Sequence, residues 1–96
     1  MPTFDLEFLP SARKEWAKLD KSVRNQLAMK LAERLVAPRI ASARLSGMAD
    51  CYKIKLRAAG YRLIYRVEDH RVTVVVIAVG RRDRNAVYKP ATKRVG

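Results

Sequence analysis

Histidine and cysteine occur once each in the 96 residues, as His70 and Cys51, and only 9 residues are acidic. One thiol closes no internal disulfide, and a chain so poor in ligating side chains cannot assemble a zinc site or a Ser-His-Asp set. No metal and no cofactor are expected, and a ribonuclease mechanism that needs two histidines is excluded. His70 falls between Asp69 and Arg71 in an expected turn, where an exposed structural role suits it. Glycine is scarce, at 4 residues, and no glycine-rich phosphate loop can be drawn. Long apolar runs are missing too. The longest, Val72 to Val79, is interrupted by Thr73 and falls far short of the ~18 residues of a membrane span. No charged-then-apolar segment opens the chain, so the expected compartment is a reducing cytoplasm, with no membrane partner.

Positive charge is abundant. Lysine and arginine number 21 against 9 acidic residues, a formal charge of +12 with a pI near 10.6. Such an excess favours a polyanionic partner, most commonly nucleic acid. The length suits one domain over residues 1–96, enough to close a single core without disulfides or a structural metal.

The stretch Asp50 to Val67 alternates cationic and apolar residues on both sides of a small-residue turn, the pattern of a β-hairpin. Strand side chains alternate between faces, so Tyr52, Ile54 and Leu56 share one face while Lys53, Lys55 and Arg57 share the other. A two-residue loop at Ala58-Ala59 pairs Leu56 with Tyr61, Lys55 with Arg62, and Ile54 with Leu63. A three-residue loop would instead set Lys55 against Leu63 and spoil the pattern. Lys53, Lys55 and Arg62 then form one patch, and Tyr52, Ile54, Leu56, Tyr61, Leu63 and Tyr65 face a core. Like charges across strands destabilise by ~0.2–1 kcal/mol per pair, which points to an anionic visitor.

Elsewhere the chain reads in order. Phe4, Leu6 and Phe8 alternate as a short strand. Pro10 opens a helix that places Ala12, Trp16 and Leu19 on one side, with Trp16 in the core. Asp20 caps a second helix with the stripe Val23, Leu27, Leu31 and Leu35, widened by Ala28 and Ala32 and ended by Pro38. Arg13, Lys14, Lys18, Lys21, Arg24, Lys30 and Arg34 are expected on solvated helical faces, part of which could dock on RNA phosphate. Residues 39–49 form a loop, Asp69-His70 a turn, and Val72 to Val79 a central strand buried on both faces. Asp83 is expected to cap a terminal helical turn that Pro90 interrupts.

A cationic face with tyrosines supports one reaction class. When RNA is cut by its own 2′-OH, the scissile phosphate must be held in line, its developing charge neutralised, and a proton moved at each end. Adjacent cations lower the pKa of a tyrosine, and crowded lysines lower one another's.

The segment from Leu45 through Gly60 to Tyr65, with Val79-Gly80-Arg81-Arg82 and Val87-Tyr88, resembles the RelE family of bacterial toxin ribonucleases. The likeness extends to Lys14-Glu15-Trp16, Lys18-Leu19, Val23-Arg24, Gln26-Leu27 and Pro38-Arg39-Ile40. It implies an α+β fold with two N-terminal helices packed on a four-stranded, mainly antiparallel sheet, strand one beside the last strand, a short C-terminal helix, and the active site on the sheet face opposite the helices. It implies a ribosome-dependent endoribonuclease that cuts mRNA in the decoding A site, beside the 16S rRNA, and is inhibited by a cognate RelB-like antitoxin; operator DNA would be bound only through the antitoxin complex. In the roles the resemblance implies, Lys53 and Lys55 bind the scissile phosphate and Arg62 stabilises it. Arg82 stabilises the transition state and protonates the leaving group, and Tyr88 positions or deprotonates the 2′-OH. Arg44, Arg57, Arg81 and Arg84 are taken as further RNA contacts. Ser46 and Pro90 depart from the family's pattern. Two rivals remain: a ParE-like toxin that poisons gyrase, and a non-catalytic ribosome-binding factor.

Overall fold

The computed structural model describes residues 3–81 and 88–95. Strand β1 (Asp5–Phe8) leads into helices α1 (Pro10–Ala17) and α2 (Lys21–Val36); strands β2 (Cys51–Leu56), β3 (Tyr61–Glu68) and β4 (Thr73–Arg81) follow, and then helix α3 (Tyr88–Val95). The sheet order is β1-β4-β3-β2. β2, β3 and β4 meander antiparallel, whereas β1 runs parallel to β4, from Asp5 opposite Thr73 to Phe8 opposite Val76. A parallel neighbour needs a crossover, and α1, α2 and the β2–β3 hairpin all lie between β1 and β4 in sequence. The sheet is therefore mixed, with strand one beside the last strand, as the resemblance implies.

Pro10 sits at the start of α1, where its missing N–H would have no partner. α2 buries Val23, Leu27 and Leu31 at four-residue spacing, and these meet Tyr52, Ile54, Leu56, Leu63, Tyr65, Val67, Val74, Val76 and Val79 on one face of the sheet. Trp16 packs against that core, its ring edge-on to Phe8 at 5.2 Å between centroids. Two expectations for α2 fail. Ala28 and Ala32 are exposed, because the stripe through Leu27 and Leu31 already fills the contact and the alanines fall beyond its edge. Asp20 occupies the cap position, but its side chain makes no capping bond; its carbonyl alone takes the Arg24 N–H, at 2.9 Å.

The opposite face of the sheet carries a second core of Leu45, Met48, Cys51, Ile64, Val75, Ile77, Ala78 and Ala91. A β-bulge builds it: Ile64 pairs with Ala78 and Tyr65 with Val76, leaving Ile77 as an extra residue. Ile77 and Ala78 both join this second core, and alternation resumes with Val79 on the helix side.

β4 outruns β1, and two side chains occupy the edge where a strand is missing. Arg94 of α3 donates to the Ile77 carbonyl at 2.8 Å, and the Glu15 carboxylate of α1 accepts the Val79 N–H at 3.1 Å. The two are themselves joined by a bidentate pair, at 2.9 and 3.1 Å, which fixes α3 against the sheet. Pro90 does not interrupt this helix. It stands in the first turn of Tyr88–Val95, where an absent N–H is tolerated. The expected Asp83 cap lies outside the described residues. β4 starts at Thr73 rather than Val72, which takes a left-handed conformation with φ 48°.

Candidate active site

The register of the central hairpin is the expected one. Cα partners are Leu56 with Tyr61, Lys55 with Arg62, Ile54 with Leu63 and Lys53 with Ile64. The loop is longer than expected, spanning 57–60, with the Gly60 N–H bonded to the carbonyls of Leu56 at 2.9 Å and Arg57 at 3.2 Å. Gly60 has φ 72°, a left-handed conformation glycine adopts without strain. Lys53, Lys55 and Arg62 thus stand together on the face opposite α1 and α2, each partly exposed. Gly80, opposite Arg62 on β4, adds no side chain to that face.

Crowding has an electrostatic result. The Lys55 ammonium is held below the ordinary lysine pKa, first by Lys53 beside it, then by lost hydration, then by Arg62 and Arg57. Its proton is more easily given up than a lone lysine's, and an arriving anion would relieve the repulsion.

The backbone under these lysines is held from behind by a residue that the sequence placed on the solvated helical surface. Arg34 is half-buried; its Nη1 donates to the Lys53 carbonyl at 3.1 Å and to the Tyr65 hydroxyl at 2.9 Å, while that hydroxyl donates to the Pro38 carbonyl at 2.6 Å. A signal for it existed, since Arg34 follows Leu27 by seven residues and Leu31 by three, the spacing of the buried stripe. Arg34 also lines a cleft of about 350 Å³ on the outer edge of β2, shared with Ser42, Ala43, Lys53, Lys55 and Arg57.

The remaining expected residues distribute unevenly. Arg57 is exposed on the hairpin loop at the rim of that cleft. Arg44 is exposed and bridges Tyr52 by its backbone, but it lines a different hollow, of about 590 Å³, with residues 45–49. Arg81 pairs with Tyr61 and holds its guanidinium 5.6 Å from that ring, and Tyr61 packs on the helix-side core. It stands away from the lysines because the bulge shifts the alternation of β4. Tyr88 opens α3, whose Ala91 is buried in the core on the lysine face; its side chain, and Arg82 and Arg84 entirely, lie outside the described residues. Among the described residues no three His, Cys, Asp or Glu side chains come together as a metal site would need, and no helix is long and apolar enough to cross a membrane.

With this geometry in hand, comparison with known proteins gives consistent results. The family model of the ParE toxin of the type II toxin–antitoxin system parDE matches residues 6–86. The chain is similar to the mRNA interferase toxin RelE of Escherichia coli K12, with 56% identity over 90 residues, 94% of this chain and 95% of that protein. Among solved structures it resembles the free E. coli toxin RelE carrying two arginine-to-alanine substitutions, with a TM-score of 0.91, 50% identity, and coverage of 99% of this chain and 100% of that one. A chain of the intact E. coli RelBE toxin–antitoxin complex matches with a TM-score of 0.82 and 54% identity, over 84% of this chain and 99% of that one.

Proposed function

The chain belongs to the RelE branch of the RelE/ParE family of type II toxins, and from that premise we propose that it is a ribosome-dependent endoribonuclease that cuts mRNA in the A site and arrests translation. The observation that carries this reading is the convergence of Lys53, Lys55 and Arg62 on the open sheet face, beside the likeness to a protein named an mRNA interferase. Poisoning of gyrase, which the ParE name suggests, needs no such phosphate-holding face.

In the proposed mechanism Lys53, Lys55 and Arg62 hold the scissile phosphate and neutralise the charge that grows on it. Tyr88 positions or deprotonates the 2′-OH; Arg82 stabilises the transition state and supplies the proton to the 5′ leaving oxygen. None of these side chains is a strong base alone, so the ribosome must bend the mRNA into line. A RelB-like antitoxin inhibits by covering the basic face or displacing the segment with Tyr88, and the toxin works in the cytoplasm.

The test is single-turnover cleavage of programmed ribosomes. The products should carry a 2′,3′-cyclic phosphate and a 5′-hydroxyl, and a 2′-deoxy nucleotide before the cut should abolish cleavage. Undiminished cutting of the 2′-deoxy mRNA would mean that water attacks, and the roles of Tyr88 and Arg82 would be withdrawn. A stall without new mRNA ends would favour a binding factor.

A further inference from the structure

The carboxylates and the cations of this protein are sorted by place. Asp50 and Asp69 pair with Arg39, Glu7 and Glu68 with Arg71, Glu68 also with Arg66, and Glu15 with Arg94. Among the described residues no carboxylate pairs with Arg34, Lys53, Lys55 or Arg57. These four, with the Ser42 hydroxyl, surround the cleft on the outer edge of β2. The cleft is concave, meets no carboxylate among the described residues, and is continuous with the proposed active face, because Lys53 and Lys55 belong to both.

The row is longer than one phosphate. Residues two apart on a strand stand about 7 Å apart, so Lys53 and Lys55 are one such step apart on β2, and Arg57 continues the row on the hairpin loop. Lys55 stands opposite Arg62 in the proposed active face, while Arg57, Ser42 and Arg34 line the cleft beside it, Arg34 at the Lys53 end and Arg57 at the hairpin end. A hydroxyl beside guanidinium and ammonium donors is the set that grips non-bridging phosphate oxygens.

We propose that this cleft is a second phosphate subsite, in which Arg57, Ser42 and Arg34 hold the mRNA backbone phosphate next to the scissile one and so set which bond lies over Lys55 and Arg62. The proposal rests on the ribonuclease reading for the name of its ligand. Its test is read as affinity, so the two can fail separately.

Programmed ribosomes carry mRNA with a 2′-deoxy nucleotide before the expected cut and a single neutral methylphosphonate at one linkage of the A-site codon or its neighbours. Binding is compared between the wild-type chain and the Arg57→Gln/Ser42→Ala variant. Both positions are exposed, so the variant keeps its fold. Neutralising one linkage beside the scissile one should weaken wild-type binding about ten- to a hundredfold, the size of one charge-assisted contact, and weaken the variant less than about twofold. Lys93→Gln, which removes one charge from an exposed position of α3, should retain the wild-type response. If no non-scissile linkage distinguishes variant from wild type, the subsite is overturned. It is equally overturned if the variant binds ribosomes more weakly whatever the linkage, since the phosphate held would then be ribosomal. A wild-type protein that fails to cut unmodified mRNA would defeat the ribonuclease reading, while the affinity comparison still decides the subsite.

Discussion

Replacing Tyr65 with phenylalanine removes one oxygen from the junction that holds β2, β3, α2 and Pro38 together. The ring is fully buried and stacked on Tyr52 at 5.7 Å between centroids, and phenylalanine keeps that packing. The loss is confined to two hydrogen bonds, one given to the Pro38 carbonyl at 2.6 Å and one received from Arg34 at 2.9 Å. A neutral bond contributes about 1 kcal/mol and one to a charged group about 1.5–3. Arg34 is only half-buried and keeps its bond to the Lys53 carbonyl, so the lower end applies to its share, and the sum is about 2–3 kcal/mol. In a domain of this size that lowers Tm by roughly 10–20 °C. Burial holds the Tyr65 phenol above the ordinary tyrosine pKa although Arg34 pulls it down, so the hydroxyl is a donor at neutral pH. Urea unfolding followed by the fluorescence of Trp16, the single tryptophan, should show a lower midpoint with an unchanged m-value. Arg34→Met should be non-additive with Tyr65→Phe by about 1–2 kcal/mol. A loss under about 0.5 kcal/mol for Tyr65→Phe, or strict additivity, would refute the junction's role.

Glu15→Gln breaks the bidentate pair that fills the open edge of β4. With the side chains 30% and 20% exposed, a destabilisation of about 1–2 kcal/mol is expected, with faster amide exchange at Val79; unchanged exchange there would count against it. Lys55 should titrate below an ordinary lysine by NMR, and Lys53→Met should raise its pKa. Because a lowered pKa means that the folded chain binds fewer protons than the unfolded one, stability should rise with pH between the folded pKa and 10.5; a flat profile in the difference between wild type and Lys55→Met would contradict this. On α2, Leu31→Ala should cost about 2–5 kcal/mol, whereas Ala32→Gln, at an exposed position, should cost a few tenths at most. Equal effects in chemical denaturation would mean that the helix is rotated from its described orientation.

Much of the site was legible because a strand pattern has only two phases. Once Tyr52, Ile54 and Leu56 are assigned to the core, Lys53 and Lys55 have no other face, and pairing Leu56 with Tyr61 places Arg62 beside them. Hydrophobic spacing likewise located α1, α2 and β4. The same reasoning failed where a side chain's partner is far away in sequence. Arg34 reads as one more basic residue of an exposed helix until β2 supplies a carbonyl and β3 a hydroxyl. Glu15 reads as an ordinary surface residue until β4 outruns β1. The bulge at Ile77 is invisible in a uniformly apolar run, since no polar residue marks the change of phase; yet it sends Arg81, expected as a further RNA contact, to the helix side, away from Lys53 and Lys55.

The sorting of charge explains why a basic fold of this size is stable while Lys53, Lys55 and Arg57 meet no carboxylate among the described residues. Arg39, Arg66, Arg71 and Arg94 find carboxylates and tie loops and helices to the sheet, so those cations contribute to the fold. Lys53, Lys55 and Arg57 find none among the described residues and repel one another, as the lowered Lys55 pKa records. Placing Glu or Asp among them would remove that repulsion and with it the proposed hold on phosphate. Any polyanion that binds the native chain alone, whether mRNA on the ribosome or an acidic segment of an antitoxin, therefore stabilises it by relieving a repulsion built into β2 and β3. On the covering route proposed above, cleavage and inhibition would compete for the same charge. An antitoxin that neutralises this face would raise the toxin's melting temperature and exclude the phosphate in one step, whereas one that only displaced α3 would leave the Lys55 pKa where it stands in the free protein.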